Sequence, residues 1–236
     1  TLINLINILF DKISSTQKIP SIIKKNIVYK NIYIIQSFKQ INGVGRYNRK
    51  WHSPNGNIYF SIIFNYKFEF IPLMNTYVCY LLHFYIKNKY KILLDYKWPN
   101  DLYFNNKKVI GILTQNEITG SSCIYKIGIG INVNNKINNR DFKAITLNEI
   151  LGIKFNLLDL SNSLQRYIND NIFKNFNSLL VVRYLNKYLI KNTASYSKHF
   201  TKNKINTVDV LSLNKDFSLK IIHDSLIKNI NYGEIS

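Results

Sequence analysis

The segment GVGRYNRKWHSPNG, residues 43–56, concentrates residue types that can bind an anion. It holds three of the nine glycines and two of the five arginines, although it makes up only 14 of the 236 residues. Gly43 and Gly45 let the backbone approach a ligand closely, and successive N–H groups in such a loop can surround an anion. Arg46 and Arg49 each offer a planar fork for a carboxylate or a phosphate. The alternative is a glycine hairpin with a solvated basic tip.

A second motif, KWPND at residues 97–101, could bind polar groups of a ligand. Pro99 biases Trp98 toward an extended conformation, so that Asn100 and Asp101 would lie at the end of a strand. From there their side chains could bind a ligand hydroxyl or a phosphate-bound Mg²⁺. The alternative is an Asx-type turn between two strands with a buried tryptophan.

Two strand candidates that contain glycine follow. In KKVIGIL, residues 107–113, Lys108 precedes a strand whose Gly111 leaves room for a ligand. IGIGINV, residues 127–133, alternates glycine with isoleucine, so that one face of the strand is open and the other is apolar. A close ligand and a packed helix explain this alternation equally well.

Several catalytic and metal-binding templates are absent from the sequence. The P-loop pattern G-x-x-x-x-G-K-[ST] does not occur, and the dinucleotide pattern G-x-G-x-x-G fails at Asn48. There is no G-x-S-x-G nucleophile motif and no H-E-x-x-H zinc motif. The two cysteines, Cys79 and Cys123, are too few for a disulfide scaffold or a cysteine-based zinc site. We therefore expect no transition metal.

The elements that must position these motifs follow from residue periodicity. Short β-branched and aromatic runs predict strands, and longer stretches with helical apolar spacing predict helices. The predicted strands are 32–36, 57–64, 93–96, 102–104, 109–115 and 124–133, and the predicted helices are 72–88, 145–151 and 157–189. This order indicates an α+β fold, with a mixed or antiparallel central sheet, segregated helices and a small C-terminal β appendage. We predict a catalytic domain at 1–199 and a short, reduced β domain at 200–236.

The composition limits the classes of function. The chain is 46% hydrophobic, enough for a substantial core, and carries a net charge of +19 from 32 basic and 13 acidic side chains. Of the basic residues 27 are lysine, scattered along a chain rich in isoleucine and asparagine. This pattern indicates a codon bias toward A and T. It does not favour a nucleic-acid binder, which would be expected to gather its charge in a stripe and to favour arginine. No stretch has the features of a signal peptide or the length of a membrane span, so we expect a cytoplasmic protein without membrane contact.

In collinear order the chain contains SSTQ, a glutamine at 40, GVGRYNRKWHSPNG, KWPND, KKVIGIL, IGIGINV, ITLNE and a final GEIS. From Phe10 to Ser236 this set resembles the biotin protein ligase family, and its G-x-G-R-x-x-R-K-W, KWPNDL and G-x-G-I-N motifs form a highly specific combination. The resemblance implies a fold like that of class II aminoacyl-tRNA synthetases, followed by an SH3-like β appendage.

The resemblance also implies an activity. The chain would convert biotin and Mg-ATP into biotinyl-5′-AMP and then transfer biotin to a lysine of biotin carboxyl carrier protein, a subunit of acetyl-CoA carboxylase. A lipoate or octanoate ligase of the same fold and a basic nucleic-acid-binding protein are the alternatives.

The same resemblance implies a role for each motif residue. Lys108 and Arg46 would be catalytic. Biotin would be bound by Ser15, Thr16, Gln17, Gln40, Gly43, Val44, Gly45, Arg46 and Lys108. ATP would be bound by Arg46, Arg49, Trp51, Lys97, Asn100 and Asn132. Asp101 would contact the phosphate-bound Mg²⁺, and residues 134–143 would order over the adenine.

The sequence departs from the family pattern at several positions. Val44 stands where the family usually has arginine, and Asn48 stands where it usually has glycine. Asparagine tolerates the positive φ that a glycine position can require. The first motif is usually Asp-Ser-Thr-Asn, and here Ser14 and Gln17 replace its ends. We expect a monofunctional ligase without a helix-turn-helix repressor domain and with a reduced C-terminal cap, which would bind no DNA and would be a monomer or a weak homodimer.

Overall fold

The computed structural model describes residues 4–18, 31–67, 74–119, 122–136, 143–174, 176–197, 206–231 and 233–235. Parts of several predicted features lie outside these residues. They include the start of the predicted helix 72–88, the middle of the segment 134–143, residue 175 of the predicted helix 157–189, and parts of both predicted domains. Among the described helices, none has the length and apolar character needed to cross a membrane.

Strands and helices alternate irregularly along the described chain. The strands are β1 Asn4–Ile13, β2 Asn31–Gln40, β3 Ile58–Lys67, β4 Asp95–Lys97, β5 Asp101–Phe104, β6 Lys107–Thr119, β7 Ser122–Ile131, β8 Thr193–Ser197, β9 Asn206–Leu213, β10 Leu219–His223, β11 Leu226–Ile230 and β12 Glu234–Ile235. The helices are α1 Met74–Tyr90, α2 Leu147–Leu151, α3 Leu157–Asn171 and α4 Ser178–Leu185.

Strands β1 to β7 form a seven-stranded sheet in the order β1-β2-β3-β7-β6-β5-β4. β1 and β2 are parallel, and the other neighbouring pairs are antiparallel. Successive residues of a strand point to opposite faces of the sheet. In β7, Ile127, Ile129 and Ile131 therefore belong to the apolar core, whereas Gly128 and Gly130 lie on the opposite face. The predicted α+β fold with a mixed sheet is confirmed.

Helix α1 lies at the centre of the layer that covers the core face, in contact with α3, α4 and β6. It buries Val78, Leu82 and Ile86 at four-residue spacing, which places them on one stripe. Each such side chain contributes about 1.5–3 kcal/mol when it is buried. The helix predicted over 157–189 is two helices, because the Asn177 side chain accepts a hydrogen bond from Leu180 N and caps the start of α4.

The same layer buries a histidine. His83 has its Nε2 2.7 Å from the Leu94 carbonyl oxygen and its Nδ1 2.8 Å from the Tyr184 hydroxyl. Because a carbonyl can only accept, Nε2 carries the proton and Nδ1 accepts from the tyrosine. Burial lowers the pKa of His83 to about 4, so the ring is neutral near pH 7.

Strands β8 to β12 form a second sheet in the order β11-β10-β9-β8-β12, and the pairs are antiparallel. This is the small β unit expected near the end of the chain. It already includes β8, which precedes residue 199, and the division at 199 and 200 itself stays a prediction. The two sheets are joined at the KWPND segment, where Trp98 Nε1 donates to the Phe217 carbonyl at 3.1 Å.

Candidate active site

A cavity of about 300 Å³ lies on the sheet face opposite the helices. Most of the residues singled out from the sequence meet there. Its described lining consists of Ser15, Thr16, Gln17, Gln40, Val44, Gly45, Arg46, Arg49, Lys50, Trp51, His52, Asn100, Asp101, Tyr103, Lys108, Gly111, Ile112, Leu113, Gly128, Ile129 and Gly130. Of the predicted site residues, Gly43, Lys97 and Asn132 are not part of this lining.

Three glycines form the floor of the cavity. Gly111 on β6 and Gly130 on β7 are cross-strand partners, and Gly128 lies two residues before Gly130 on the same face. A Cβ on Gly111 would come 2.7 Å from the Trp51 ring, and one on Gly130 would come 2.5 Å from it. A Cβ on Gly128 would overlap the side-chain amide of Gln17. The open glycine face therefore accommodates two side chains of the chain itself.

The orientation of Lys108 depends on a β-bulge. Residues three apart on a regular strand point to opposite faces, yet Lys108 and Gly111 both line the cavity. The pairing of β6 with β5 skips Val109, which lies between the paired residues Lys108 and Ile110. Such a bulge changes the direction of a side chain. Here it turns Lys108 toward the glycine floor, while Val109 and Ile110 both enter the core.

Lys108 forms an ion pair inside the cavity. Its Nζ lies 2.6 Å from Asp101 Oδ2 and 5.1 Å from the centroid of the Trp51 ring. The other carboxylate oxygen, Asp101 Oδ1, and the indole Nε1 of Trp51 are buried and have no hydrogen-bond partner among the described residues. Buried polar atoms are rarely left in this state, so a ligand that supplies their partners would bind favourably.

The basic loop is a tight hairpin that carries one half-buried arginine. Gly45 N donates to the Arg49 carbonyl at 2.7 Å, and the tip consists of Tyr47 and Asn48, with φ of 55° and 58°. The positive φ expected at Asn48 is thus observed. Residues 47–50 are exposed, as the hairpin alternative predicts, but Arg46 is half-buried and faces the cavity.

Arg46 links the loop to two other parts of the molecule. Its Nη1 donates to Asn100 Oδ1 at 3.3 Å, and its Nη2 donates to the Gly233 carbonyl of the second sheet at 2.7 Å. Its guanidinium carbon also lies 5.0 Å from the centroid of the Tyr47 ring. The guanidinium is therefore already positioned, and the partners that hold it among the described residues are uncharged groups.

The opposite end of the cavity is polar and uncharged. Gln40 Oε1 accepts from Thr16 N at 2.8 Å, and Gln40 Nε2 donates to Ser53 Oγ at 2.9 Å. Ser61 Oγ donates to Thr16 Oγ1 at 2.8 Å and accepts from Gln17 Nε2 at 3.3 Å. Gln17 Oε1 is buried and finds no hydrogen-bond partner in the part of the chain that the structure describes. This cluster is set to accept an N–H group from an uncharged polar ligand.

Three predicted contacts lie just outside the lining. A Cβ on Gly43 would come 2.5 Å from the Trp51 carbonyl oxygen, so this glycine allows the loop to pack closely. Lys97 Nζ lies 5.2 Å from the centroid of the Tyr103 ring. Asn132 is buried beneath Lys108 and donates from Nδ2 to the Lys108 carbonyl at 3.0 Å.

Sequence analysis missed two serines of the polar cluster. Ser61 is the one polar residue of the run YFSIIF, and Ser53 follows the tryptophan of the basic loop. The interruption of an apolar strand at Ser61 was the available signal, since a buried hydroxyl needs a hydrogen-bond partner. Tyr103, which follows KWPND on β5, also lines the cavity without having been singled out.

The charges of the lining are mainly positive. Four cationic side chains, Arg46, Arg49, Lys50 and Lys108, stand against one carboxylate, Asp101, among the described lining residues. Such an excess attracts an anionic ligand. Nowhere in the described chain do three or more His, Cys, Asp or Glu side chains come together as a metal site.

Neither cysteine is placed to act as a nucleophile. Cys79 and Cys123 are buried and unpaired, and burial raises the pKa of both thiols. The reactive species of a cysteine is the thiolate, which a raised pKa disfavours.

The model of the Biotin/lipoate A/B protein ligase family matches residues 9–134, which is more than half of the chain. The chain belongs to this family. The match includes the polar cluster, the basic loop, the KWPND segment and the three floor glycines.

Relatives with curated names are similar over part of their length. The bifunctional ligase/repressor BirA of Bacillus subtilis (strain 168) is 39% identical over 137 residues, which is 54% of this chain and 40% of that protein. Biotin--protein ligase 2 of Arabidopsis thaliana is 33% identical over 106 residues, which is 41% of this chain and 32% of that protein. The matches therefore span well under half the length of these two relatives.

The fold is similar to solved members of the family over nearly its whole length. The biotin protein ligase from Aquifex aeolicus in complex with biotin and ATP superposes with a TM-score of 0.79 at 26% identity. The similarity covers 98% of this chain and 97% of that one, so both sheets have counterparts there.

Proposed function

We propose that the chain is a biotin protein ligase, which activates biotin with ATP and transfers it to a lysine of a biotin carboxyl carrier protein. The observation that carries the proposal is the cavity, in which an uncharged polar cluster and a set of cations face each other across a floor of glycines. An uncharged ring with N–H groups fits the first end, and a carboxylate beside a triphosphate fits the second. The names of the relatives, and the Aquifex aeolicus complex with biotin and ATP, support this assignment.

The polar cluster would bind the biotin ring system. Gln17 Oε1 offers an unused acceptor for a ring N–H, and Thr16 and Gln40 hold each other in place beside it. Because the cluster is already hydrogen-bonded, little conformational entropy would be lost on binding. Trp51, packed on Gly111 and Gly130, would bound the apolar part of the ligand.

The cationic end would support the first half-reaction. A biotin carboxylate oxygen attacks the α-phosphorus of ATP, a P–O bond to pyrophosphate breaks, and biotinyl-5′-AMP forms. Attack of one anion on another requires positive charge and fixed donors, with little covalent help from the protein. Arg46 and Lys108 are the side chains that we assign to the carboxylate and the α-phosphate. Arg49, at the hairpin, is assigned to the outer phosphates.

Magnesium would enter with the triphosphate. The unpartnered Asp101 Oδ1 is an oxygen ligand of the kind that Mg²⁺ accepts, and the phosphates would supply most of the others. The ion would neutralise phosphate charge when bound. Since Asp101 Oδ2 is paired with Lys108, this carboxylate would also orient the lysine ammonium.

In the second half-reaction the acceptor amine attacks the acyl carbon of biotinyl-5′-AMP. The bond between the acyl carbon and the phosphate oxygen breaks, AMP leaves, and the amine proton is lost to solvent as the amide forms. Arg46, held by Asn100 and Gly233, would keep the phosphate of the adenylate in place during this step.

The test is pyrophosphate release from the full chain with ATP and one carboxylic acid at a time. Biotin should give release and a biotinyl-5′-AMP peak by mass spectrometry, whereas lipoate and octanoate should give neither. Lys108→Ala should lower the rate by about 100-fold, as expected for loss of one charged donor at the reacting phosphate. If the wild-type chain releases pyrophosphate only with lipoate or octanoate, it is a lipoate-type ligase. Release with none of the acids would refute the ligase assignment.

A further inference from the structure

One buried side chain outside the cavity holds the chain where it leaves strand β7. Asn57 is 2% exposed, and its Oδ1 accepts from Val133 N at 2.7 Å and from Asn135 N at 3.3 Å. Its Nδ2 donates to the Asn135 carbonyl at 2.9 Å. The backbone ladder between β3 and β7 ends at Ile58 and Ile131, so the Asn57 amide takes the place of further strand pairing.

Neighbouring residues complete this arrangement. Asn134 N donates to the Gly56 carbonyl at 3.0 Å, and Asn135 Nδ2 donates to the Asn55 carbonyl at 2.8 Å. The Asn134 side chain exchanges two hydrogen bonds with the backbone of Phe155, at 2.9 and 3.0 Å. The segment 133–135 is therefore fixed from two sides by side-chain amides, without being part of a strand.

The residue that this segment positions is Asn132. Its backbone N donates to the Val109 carbonyl at 2.9 Å, and its Nδ2 donates to the Lys108 carbonyl. Its Oδ1 is buried and has no hydrogen-bond partner within the described ranges. A ligand that donates a hydrogen bond to this buried oxygen would stabilise it. The orientation of the Asn132 side chain decides whether a ligand can reach the oxygen.

A second stretch of chain joins the same point. Lys108 N donates to the Lys143 carbonyl at 2.9 Å, and the Lys108 carbonyl accepts from Ile145 N at 3.0 Å. The backbone of Lys108 thus lies between Asn132 and residues 143–145. The two hydrogen bonds from residues 143–145 hold the Lys108 backbone in addition to the one from Asn132.

We propose that Asn57 is a positioning residue for ATP, which acts through the backbone of residues 133–135 on Asn132. The proposal rests on the ligase function proposed above. Loss of the Asn57 amide leaves two backbone N–H groups and one carbonyl without their partners. Asn132 keeps its hydrogen bonds to Val109, Lys108 and Leu147, but the chain that follows it loses its anchor, and we expect the Asn132 side chain to reorient. The polar cluster is built from Thr16, Gln40 and the serines of β3 and the basic loop, so binding of biotin alone does not depend on Asn57.

The experiment compares two asparagine-to-alanine variants of the full chain. Asn57→Ala removes the three hydrogen bonds, and Asn55→Ala is the matched control, because Asn55 is exposed and contributes only its backbone carbonyl. Calorimetry with biotin alone and with α,β-methylene-ATP alone gives the two dissociation constants. For Asn57→Ala the analogue should bind about tenfold more weakly and biotin within about twofold of wild type. Asn55→Ala should bind both as wild type does.

A second variant distinguishes loss of the Asn57 hydrogen bonds from a general loss of structure. Asn57→Ser keeps one hydroxyl that can accept from a backbone N–H, so its affinity for the analogue should lie between those of wild type and Asn57→Ala. The same order should appear in the KM for ATP during pyrophosphate release, with the KM for biotin unchanged. Equal weakening of biotin and analogue, or unchanged binding of the analogue, would overturn the positioning role. If the wild-type chain binds neither ligand, the ligase assignment itself fails and this inference falls with it.

Discussion

The two faces of the seven-stranded sheet use the same strands for different purposes. In β7 the odd-numbered residues, such as Ile127 and Ile129, pack into an apolar core, and the helix layer over that core buries the neutral His83. The even-numbered residues Gly128 and Gly130 face a cavity lined by four cations and a carboxylate. Around residues 127–130, stability should therefore depend on the first face and ligand binding on the second, although the residues of the two faces alternate along the strand. Substitutions on each face test this division.

Removal of Arg46 should have the largest effect on activity and a small effect on stability. Arg46→Ala deletes the guanidinium assigned to the adenylate, and we expect adenylate formation to fall by about 100- to 1000-fold. Arg166→Ala, an exposed arginine on α3, is the matched control. Pyrophosphate release and thermal unfolding of both variants provide the measurement. A large drop in melting temperature for Arg46→Ala would show that the cavity face also carries stability.

Truncation of a side chain on the core face should lower stability and leave ligand affinity nearly unchanged. Ile127 is fully buried, and Ile127→Ala should lower the free energy of unfolding by about 2–5 kcal/mol through lost burial and a residual cavity. The affinity of the protein that remains folded for biotin should stay within about twofold of wild type. Urea unfolding and biotin titration of the same sample give both quantities. Loss of biotin affinity at wild-type stability would contradict the division of the two faces.

Acid should destabilise the core face through His83. The pKa of this histidine is about 4 in the folded protein and about 6.5 in the unfolded chain, so as the pH falls below 6.5 the unfolded state takes up the proton first. Stability is therefore lost between about pH 6.5 and pH 4, on the order of 3 kcal/mol in all. Urea unfolding at several pH values should show this loss in wild type. His83→Gln, which does not titrate, should lack it; an identical pH profile would assign the loss to other groups.

Filling the cavity floor should have the smallest and most selective effect. The Cβ of Gly128→Ala would displace the amide of Gln17 from Ser61, and we expect biotin to bind about tenfold more weakly while α,β-methylene-ATP is unaffected. In a Gln17→Ala background the same Gly128→Ala change should add little, because nothing is left to displace. Additive losses in the double variant would mean that the floor glycine acts on the ligand directly.

Much of this arrangement could be predicted from the sequence. The alternation of glycine and isoleucine in IGIGINV fixes which face of β7 is open, and the clustering of scarce glycine and arginine marks the basic loop. Strand β1 was not predicted, because Asn4 and Asn7 interrupt its apolar residues and its pairing with β2 is parallel and distant in sequence. Asn57 and Ser61 were missed for a related reason. A polar residue at a strand end or in a strand acquires a role only through partners that are brought in by the fold.

The bulge at Val109 has a consequence for how motifs are compared between chains. Lys108 and Gly111 are three positions apart and would point to opposite faces of a regular strand. Because of the bulge, they lie on the same face of β6. The number of residues between Lys108 and Gly111 therefore does not by itself determine whether the two side chains share a face, because the bulge also decides it. A chain with the same lysine and glycine but one residue fewer between them, paired in a regular ladder, would also place both on one face. A chain with the present interval and no bulge would direct its lysine into the hydrophobic core.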